Sequence, residues 1–524
     1  MAALLTAAAL AATVTVASAV VRMPAFFGDN MVVQTRSRGG DRAFLSGWAA
    51  PGEQVTITDT NAGTYGQPIY RVTAGADGSW AVQIHPGMYG VTSTITVTGS
   101  SGGPPAVARN SSFGDVVLCA GGDQMAAAAA STLPYPTQLP SHVFVFVVGV
   151  GATTVPPPPG RRDVPAGSSA GWLRADDPRA AATIAATSVL CLQTAAELTR
   201  MPAADRRAYD GEQSALAKGH LGTIGLVIAA AAGSKLHEWV PASAAEAHCG
   251  AGHLPGIGKH YNAMVAPLSM ISTRAALWAM DNSSSSSSAY NSTSAISAAT
   301  EACLFRAMIN GMRDAQQTGD YCFIFAQSPA ESSAIAMGAA LPNPSLLRVN
   351  GSGGSGGFPD DHQLVDTTGV GVPDLLAANS TQGAASLAKR MALALTGVAF
   401  AAQPRSKFTG PVLSSVAIYP AEVGGDAHAR GASTASLELE LRFSSVLPGR
   451  LQMRGTPGCG LCCTANGLDI RLATSADLRA DSTVSIRASR VVISGSSQST
   501  LIASFPEVEW SSDHLSRTYG CVSI

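Results

Sequence analysis

This 524-residue chain carries little charge: Asp, Glu, Lys and Arg together make up 13% of it, and the formal net charge is −2. Binding a phosphate backbone takes a basic patch or stripe, so a nucleic-acid partner is not expected. Long apolar runs are missing beyond residue 21. With no second stretch of about 20 apolar residues, no membrane span is expected once the N-terminal segment is removed. No His/Cys spacing fits a zinc pattern, and neither a metal nor a cofactor is expected.

The first residues lack charge altogether. Met1 to Val21 has no ionisable side chain, and Leu4, Leu5, Leu10, Val14 and Val16 form an apolar core. Ala17-Ser18-Ala19 fits the small-x-small cleavage pattern, so residues 1–19 read as a secretory signal and the mature chain would begin at Val20. The usual basic start is missing. Two features agree with a secretory route. Sequons stand at Asn110, Asn282, Asn291, Asn350 and Asn379, each a candidate for N-glycosylation. Nine cysteines (119, 191, 249, 303, 322, 459, 462, 463 and 521) would mostly pair in an oxidising lumen, and the odd count leaves at least one over. The expected location is the secretory pathway, ending extracellular, at the cell surface or in a lysosomal lumen.

Length suggests about two to four domains. Over residues 20–110, short alternating runs (Val55–Thr58, Trp80–Ile84, Thr94–Thr98) are broken by Pro51-Gly52 and Asp77-Gly78, a pattern for a small β-sandwich-like domain. Over 111–403, buried strands (Val116–Cys119, Ile224–Ile228) alternate with helical periodicity at 261–270, 296–313 and 383–400, which predicts an α/β layer with a parallel sheet and helices on both faces. Over 404–524, strand patterns return at Val416–Tyr419, Leu437–Leu441, Val484–Ile486 and Val491–Ile493 as a second β domain. Pro156–Arg162, the Ser-rich Asn282–Thr293 and the Gly/Ser-rich Asn350–Gly357 read as loops or insertions. Abundant Ala and Gly, as in Ala126–Ala130, are put down to coding bias.

Longer motifs carry a resemblance. Phe27-Gly-Asp-Asn-Met-Val-Val-Gln34, Gly47-Trp-Ala-Ala-Pro-Gly-Glu-Gln-Val-Thr56, Asp77-Gly-Ser-Trp80, Phe113-Gly-Asp-Val-Val-Leu-Cys119, Tyr261-Asn-Ala-Met-Val-Ala-Pro-Leu268, Lys389-Arg-Met-Ala-Leu-Ala394 and Phe408-Thr-Gly-Pro-Val412 occur in this order. Together they resemble the sialate O-acetylesterases of the SGNH hydrolase superfamily over nearly the whole mature chain. The resemblance implies an SGNH-like parallel sheet flanked by two β domains.

It also implies a catalytic apparatus, which this sequence does not keep. An esterase of this kind needs an activated hydroxyl, a base, and donors for the oxyanion. The family nucleophile lies in Cys-Ser-Gly-Gln-Ser-Asn-Met, whereas here the segment is Cys119-Ala-Gly-Gly-Asp-Gln-Met125. Asp123 therefore stands at the serine position, with Gly122 and Gln124 beside it. Attack by a carboxylate would give an anhydride, a poor route to ester hydrolysis. The family's Ser-Trp-Gly-Gly-Thr becomes Ala230-Ala-Ala-Gly-Ser234, which keeps Gly233, and Trp239 downstream also matches. The family's Trp-Tyr-Gln-Gly-Glu-Ser-Asn becomes Trp278-Ala-Met-Asp-Asn-Ser-Ser284, placing Asn282 at the former pocket and matching only Trp278 and Ser283. Counting back from Arg390 puts Ser380 at the catalytic histidine, inside the Asn379 sequon. His362, in Asp360-Asp-His-Gln363, is the competing base, but Phe358-Pro359 matches a Phe-Pro well upstream of that block in the family, so His362 reads as a loop histidine first and a relocated base second.

Other groups have bland and functional readings. His248, Cys249, His253 and His260 suggest a disulfide at Cys249 with solvent-facing histidines rather than a metal site. Cys459-Gly-Leu-Cys462-Cys463 reads as structural, one of them pairing with Cys521, rather than as a redox CxxC. Asp123 is either a ligand for a cation or sugar hydroxyl, or a remnant of a decayed site. Two functions follow. One is a pseudoenzyme with a carbohydrate-binding, adhesive or structural role, whose partners are glycans or other extracellular or lumenal proteins. The other is an active carbohydrate O-acetylesterase, acting for instance on 9-O-acetyl sialic acid, with Ser283 or another local serine attacking and His362 as base. For the first, Asp123 is expected to be partly occluded and at least one of Asn282, Asn291 and Asn379 to carry a glycan near the mouth of the site.

Overall fold

A computed structural model describes residues 20–34, 43–60, 69–85, 91–128, 139–156, 163–200, 223–280, 298–315, 321–327, 370–373 and 381–399, and beyond these the strands at 412–421, 434–444, 469–472, 484–487, 490–494, 500–504 and 508–509. The signal segment, Asn282, Ser283, Asn291, Asn350, His362, Asn379, Ser380, Cys459, Cys462, Cys463 and Cys521 lie outside the described residues.

The N-terminal strands are β1 (Val32–Gln34), β2 (Ala43–Trp48), β3 (Gln54–Asp59), β4 (Ile69–Thr73), β5 (Ser79–Ile84) and β6 (Thr92–Gly99). β7 (Ala106–Gly121) follows. Then come β8 (Val143–Val147), β9 (Leu173–Arg174), β10 (Thr223–Ala230), β11 (Ala275–Ala279), β12 (Cys322–Gln327) and β13 (Val370–Pro373). The central sheet runs β13-β12-β11-β7-β10-β8-β9 and is parallel except for β9. β7 crosses the expected domain boundary at 110/111 without a break. Its first half pairs antiparallel with β6, and its second half is the middle strand of the parallel sheet. β1 adds to it in parallel at Ser112–Gly114. The helices are α1 (Asp123–Ala126), α2 (Ala181–Ala185), α3 (Val189–Arg200), α4 (Ala242–Cys249), α5 (Ala298–Ala315) and α6 (Thr381–Ala399).

Burial on both faces explains the near-continuous apolar run of β7. Val116, Leu118 and Ala120 join a core with Trp239, Trp278 and the Leu304–Met312 face of α5. Val117 and Cys119 join a second core with Leu190 and Leu192 of α3 and Leu387 and Met391 of α6. Each fully buried Val or Leu contributes roughly 1.5–3 kcal/mol. Helices thus cover both faces of a mixed α/β layer. The helix expected over 261–270 is instead a π-helical turn (Tyr261–Val265) followed by a 3₁₀ turn (Ala266–Met270). Pro267 has no N–H to continue an α-helical ladder, which accounts for the change of winding. In the C-terminal region, β14 (Val412–Ala421), β15 (Thr434–Ser444), β16 (Asp469–Leu472), β17 (Val484–Arg487), β18 (Arg490–Ser494), β19 (Thr500–Ser504) and β20 (Val508–Glu509) pair antiparallel throughout. No described helix is long and apolar enough to cross a membrane.

Candidate functional site

Three parallel strands end level with one another at Gly121, whose Cα pairs with Ala230 of β10 on one side and Ala279 of β11 on the other. In chain order, the connections on the two sides of β7 diverge here, and the carboxyl ends of strands at such a switch point form the natural crevice of an open α/β sheet. Gly121 has φ +144°, and a Cβ there would run into the Ala279 carbonyl oxygen. Only glycine fits. The Gly122 N–H donates to Ala279 O at 3.0 Å, and the Ala231 N–H donates to Gly121 O at 3.0 Å, so both neighbouring strands hold the turn. α1 begins directly after it, which fixes where Asp123 points.

Asp123 is half-buried, and its Oδ1 accepts the Gly233 N–H at 2.7 Å. Gly233 reaches this contact through a left-handed turn, φ +69°, on an exposed stretch with Ala232. Gly122, Asp123 and Gly233, which the sequence assigns to the former pocket, therefore do meet, and Gln124 lies buried next to them. A Cβ on Gly122 would lie 3.2 Å from Met280 Cγ and 3.4 Å from Ser234 Oγ, so these two side chains wall the turn. Ser234, the nearby described serine, is 1% exposed. It donates to Ala231 O at 2.7 Å and accepts the Trp239 Nε1–H at 2.9 Å, so its hydroxyl is committed to structure rather than to attack.

The platform below is fixed from several sides. A disulfide joins Cys119 of β7 to Cys191 of α3, both fully buried. Ser188 Oγ donates to Met125 Sδ at 3.2 Å and anchors α1. Trp239 stands edge-on to Trp278 with centroids 5.6 Å apart. Behind Trp239, Glu238 pairs with Lys259 Nζ at 2.7 Å, lies 3.4 Å from His260 Nε2, and accepts the Lys235 N–H at 2.9 Å. Burial alone would raise the Glu238 carboxyl; the hydrogen bonds from His260, Lys259 and Lys235 outweigh it and hold the group at about 2. Burial pushes His237 down, against the opposing pull of the Pro255 carbonyl. His260 Nδ1 donates to Gly151 O at 2.7 Å. His248 and His253 are exposed, but His260 is 7% exposed, a correction to the expected solvent-facing position. Cys249 is paired with Cys303 of α5. Among the described residues no cluster of His, Cys, Asp or Glu could hold a metal. Apart from His260, no member of the Glu238 network stands out in the sequence, since Lys235, Glu238 and Lys259 are brought together only by the fold.

The sequence matches no protein-family model and no curated protein. In structure the chain is similar to a carbohydrate acetylesterase from Xanthomonas citri, with TM-score 0.61 and 17% identity over 92% of this chain and 91% of that one. Two further carbohydrate esterases align only loosely. A family two carbohydrate esterase from Clostridium thermocellum has TM-score 0.28 and 9% identity over 69% of this chain and 93% of that one. An acetyl xylan esterase from the rumen bacterium Butyrivibrio proteoclasticus has TM-score 0.26 and 7% identity over 73% and 96%. The Xanthomonas comparison shows a shared fold, and neither of the looser alignments adds to it.

Proposed function

We propose that this chain is a secreted or lumenal glycoprotein built on a carbohydrate-acetylesterase scaffold that has lost ester hydrolysis, and that it keeps a carbohydrate-binding, adhesive or structural role. The observation that carries this reading is the 2.7 Å hydrogen bond from Gly233 N–H to Asp123 Oδ1. Acyl transfer needs free donors where negative charge develops on the substrate oxygen. Here a resident carboxylate holds one such donor and places its own charge where that oxyanion would form. Losing one oxyanion donor costs about 10²–10³ in rate, and losing a triad member about 10⁴–10⁶, so the two losses together leave no useful turnover. Likeness in fold to a carbohydrate acetylesterase supports a carbohydrate as the ancestral substrate class; an O-acetylated sialic acid rests on the sequence motifs alone. The buried Cys119–Cys191 and half-buried Cys249–Cys303 disulfides support an oxidising compartment. The test is turnover of a chromogenic acetyl ester and of 9-O-acetyl sialic acid by purified protein. No rate above buffer is expected. Turnover that Asp123→Ala abolishes would overturn the proposal, and turnover lost instead on Ser283→Ala and His362→Ala would establish the rebuilt esterase.

A further inference from the structure

We infer that Asn110 is an N-glycosylation site that is modified before β7 takes its place in the sheet. The local backbone is unusual. Across the β6–β7 ladder, Ser93 pairs with Ser111 and Ile95 with Ala108, so β7 has one residue more than β6 in between. This bulge holds Arg109 and Asn110. Asn110 adopts φ 55°, a left-handed conformation that asparagine tolerates and most residues do not, and its side chain is exposed. Its Nδ2 lies 3.4 Å from Asn30 Oδ1, and Asn30, itself at φ 60°, donates its N–H to Arg109 O at 2.7 Å. A glycosylated amide keeps one N–H, which can still donate to Asn30. The acceptor nitrogen is thus held outward, clear of the ladder.

The rest of the sequon is sealed. Ser112, whose hydroxyl the transferase must read, is 2% exposed. Its Cα is in register with Val32 of β1 on one side and Thr92 of β6 on the other, and its N–H donates to Met31 O at 2.9 Å. Among the described residues the hydroxyl itself has no hydrogen-bond partner. In the folded chain the acceptor is presented and the recognition group is not. Transfer therefore precedes the closing of β1 and β6 onto β7. In the reaction, Nδ2 attacks the anomeric carbon of a lipid-pyrophosphate-linked oligosaccharide. The carbon–oxygen bond to the pyrophosphate breaks, the lipid pyrophosphate leaves, and the amide gives up one proton to the transferase's base. The inference rests on the secretory reading proposed above, and the buried Cys119–Cys191 disulfide supports folding in an oxidising compartment where such donors are used. The eleven residue-to-residue steps from Asn110 to Gly121 span about 35 Å of strand, so this glycan sits toward the far end of β7 from Asp123 and is independent of the proposed loss of catalysis.

The test is secretory expression of the full chain with a reporter sequon appended at its carboxyl end, followed by enzymatic deglycosylation in heavy-oxygen water and peptide mass spectrometry. Protein whose reporter is glycosylated should show Asn110 converted to labelled aspartate. A bare Asn110 in such protein overturns the inference. Ser112→Ala removes the sequon and a buried hydroxyl that has no partner among the described residues, so it should fold with an unchanged or higher melting temperature and lose this one label. For the order of events, unglycosylated full chain from a bacterial host is offered to transferase-bearing membranes, folded or denatured. Modification of Asn110 is expected only in the denatured sample; equal modification of both overturns the claim that transfer comes first.

Discussion

Within the nine residues after β10, two regions with opposite characters lie side by side. Ala232 and Gly233 are exposed and carry no side chain beyond a methyl, yet Gly233 makes the polar contact to Asp123. Ser234, His237, Glu238 and Trp239 are buried, and they make their polar contacts with other groups of the protein. The first region is where chemistry would face a ligand; the second holds the loop in place. On the proposed reading the packing and pairing of the scaffold are retained, and the described residues at the turn offer a ligand only glycine, alanine and one carboxylate. The groups that face outward and the groups that set the backbone are different residues, so the first can change without loosening the second.

The contrast can be broken by substitution, and the largest effects belong to the buried side. Trp239→Ala should destabilise the protein by about 3–5 kcal/mol in chemical denaturation, since it empties a fully buried site between Trp278 and His260. Gly121→Ala should follow at about 3 kcal/mol, from the positive φ and the collision with the Ala279 carbonyl. On the exposed side, Gly233→Ala has open space for its methyl and only the left-handed φ against it, so about 1 kcal/mol is expected. Asp123→Ala should change stability least, by about 1 kcal/mol or less, because water can take the place of the carboxylate at an exposed N–H. If Asp123→Ala proved as damaging as Trp239→Ala, the division between the two regions would fail.

The buried side also has a pH signature. The Glu238 carboxyl sits at about 2 in the folded chain against an ordinary 4.5. A depressed value stabilises the fold fully above about 4.5, and that contribution is lost as pH falls from there through about 2. The melting-temperature gap between the parent and Glu238→Gln should therefore be widest near neutral pH and narrow steadily below pH 4.5. A gap that stays constant would mean that the charge of Glu238 is not what matters.

Much of this layout was legible in the sequence. Doubly buried strands are continuously apolar, and Val116–Cys119 and Ile224–Ile228 stand where β7 and β10 do. The glycine pair at 121–122 and Gly233 could be matched to a site because tight turns at strand ends leave few other residues possible. Three things were not legible. The Cys119–Cys191 bridge spans 72 residues, a separation that no spacing rule reads. The winding at 261–270 depends on where Pro267 falls within the turn. His260 reads from the sequence as one of a group of solvent-facing histidines around the disulfide at Cys249, whereas Gly151 and Glu238, from distant parts of the chain, enclose it.

Hydrogen exchange at the loop after β10, read by mass spectrometry on short peptides covering residues 231–235, tests the Asp123–Gly233 contact most directly. If the carboxylate occupies the Gly233 N–H, the parent chain protects this amide, and Asp123→Ala speeds its exchange while the peptides of β7 and β10 stay as protected as before. Identical exchange at Gly233 in the two proteins would contradict the account, because the donor would then be free for an oxyanion.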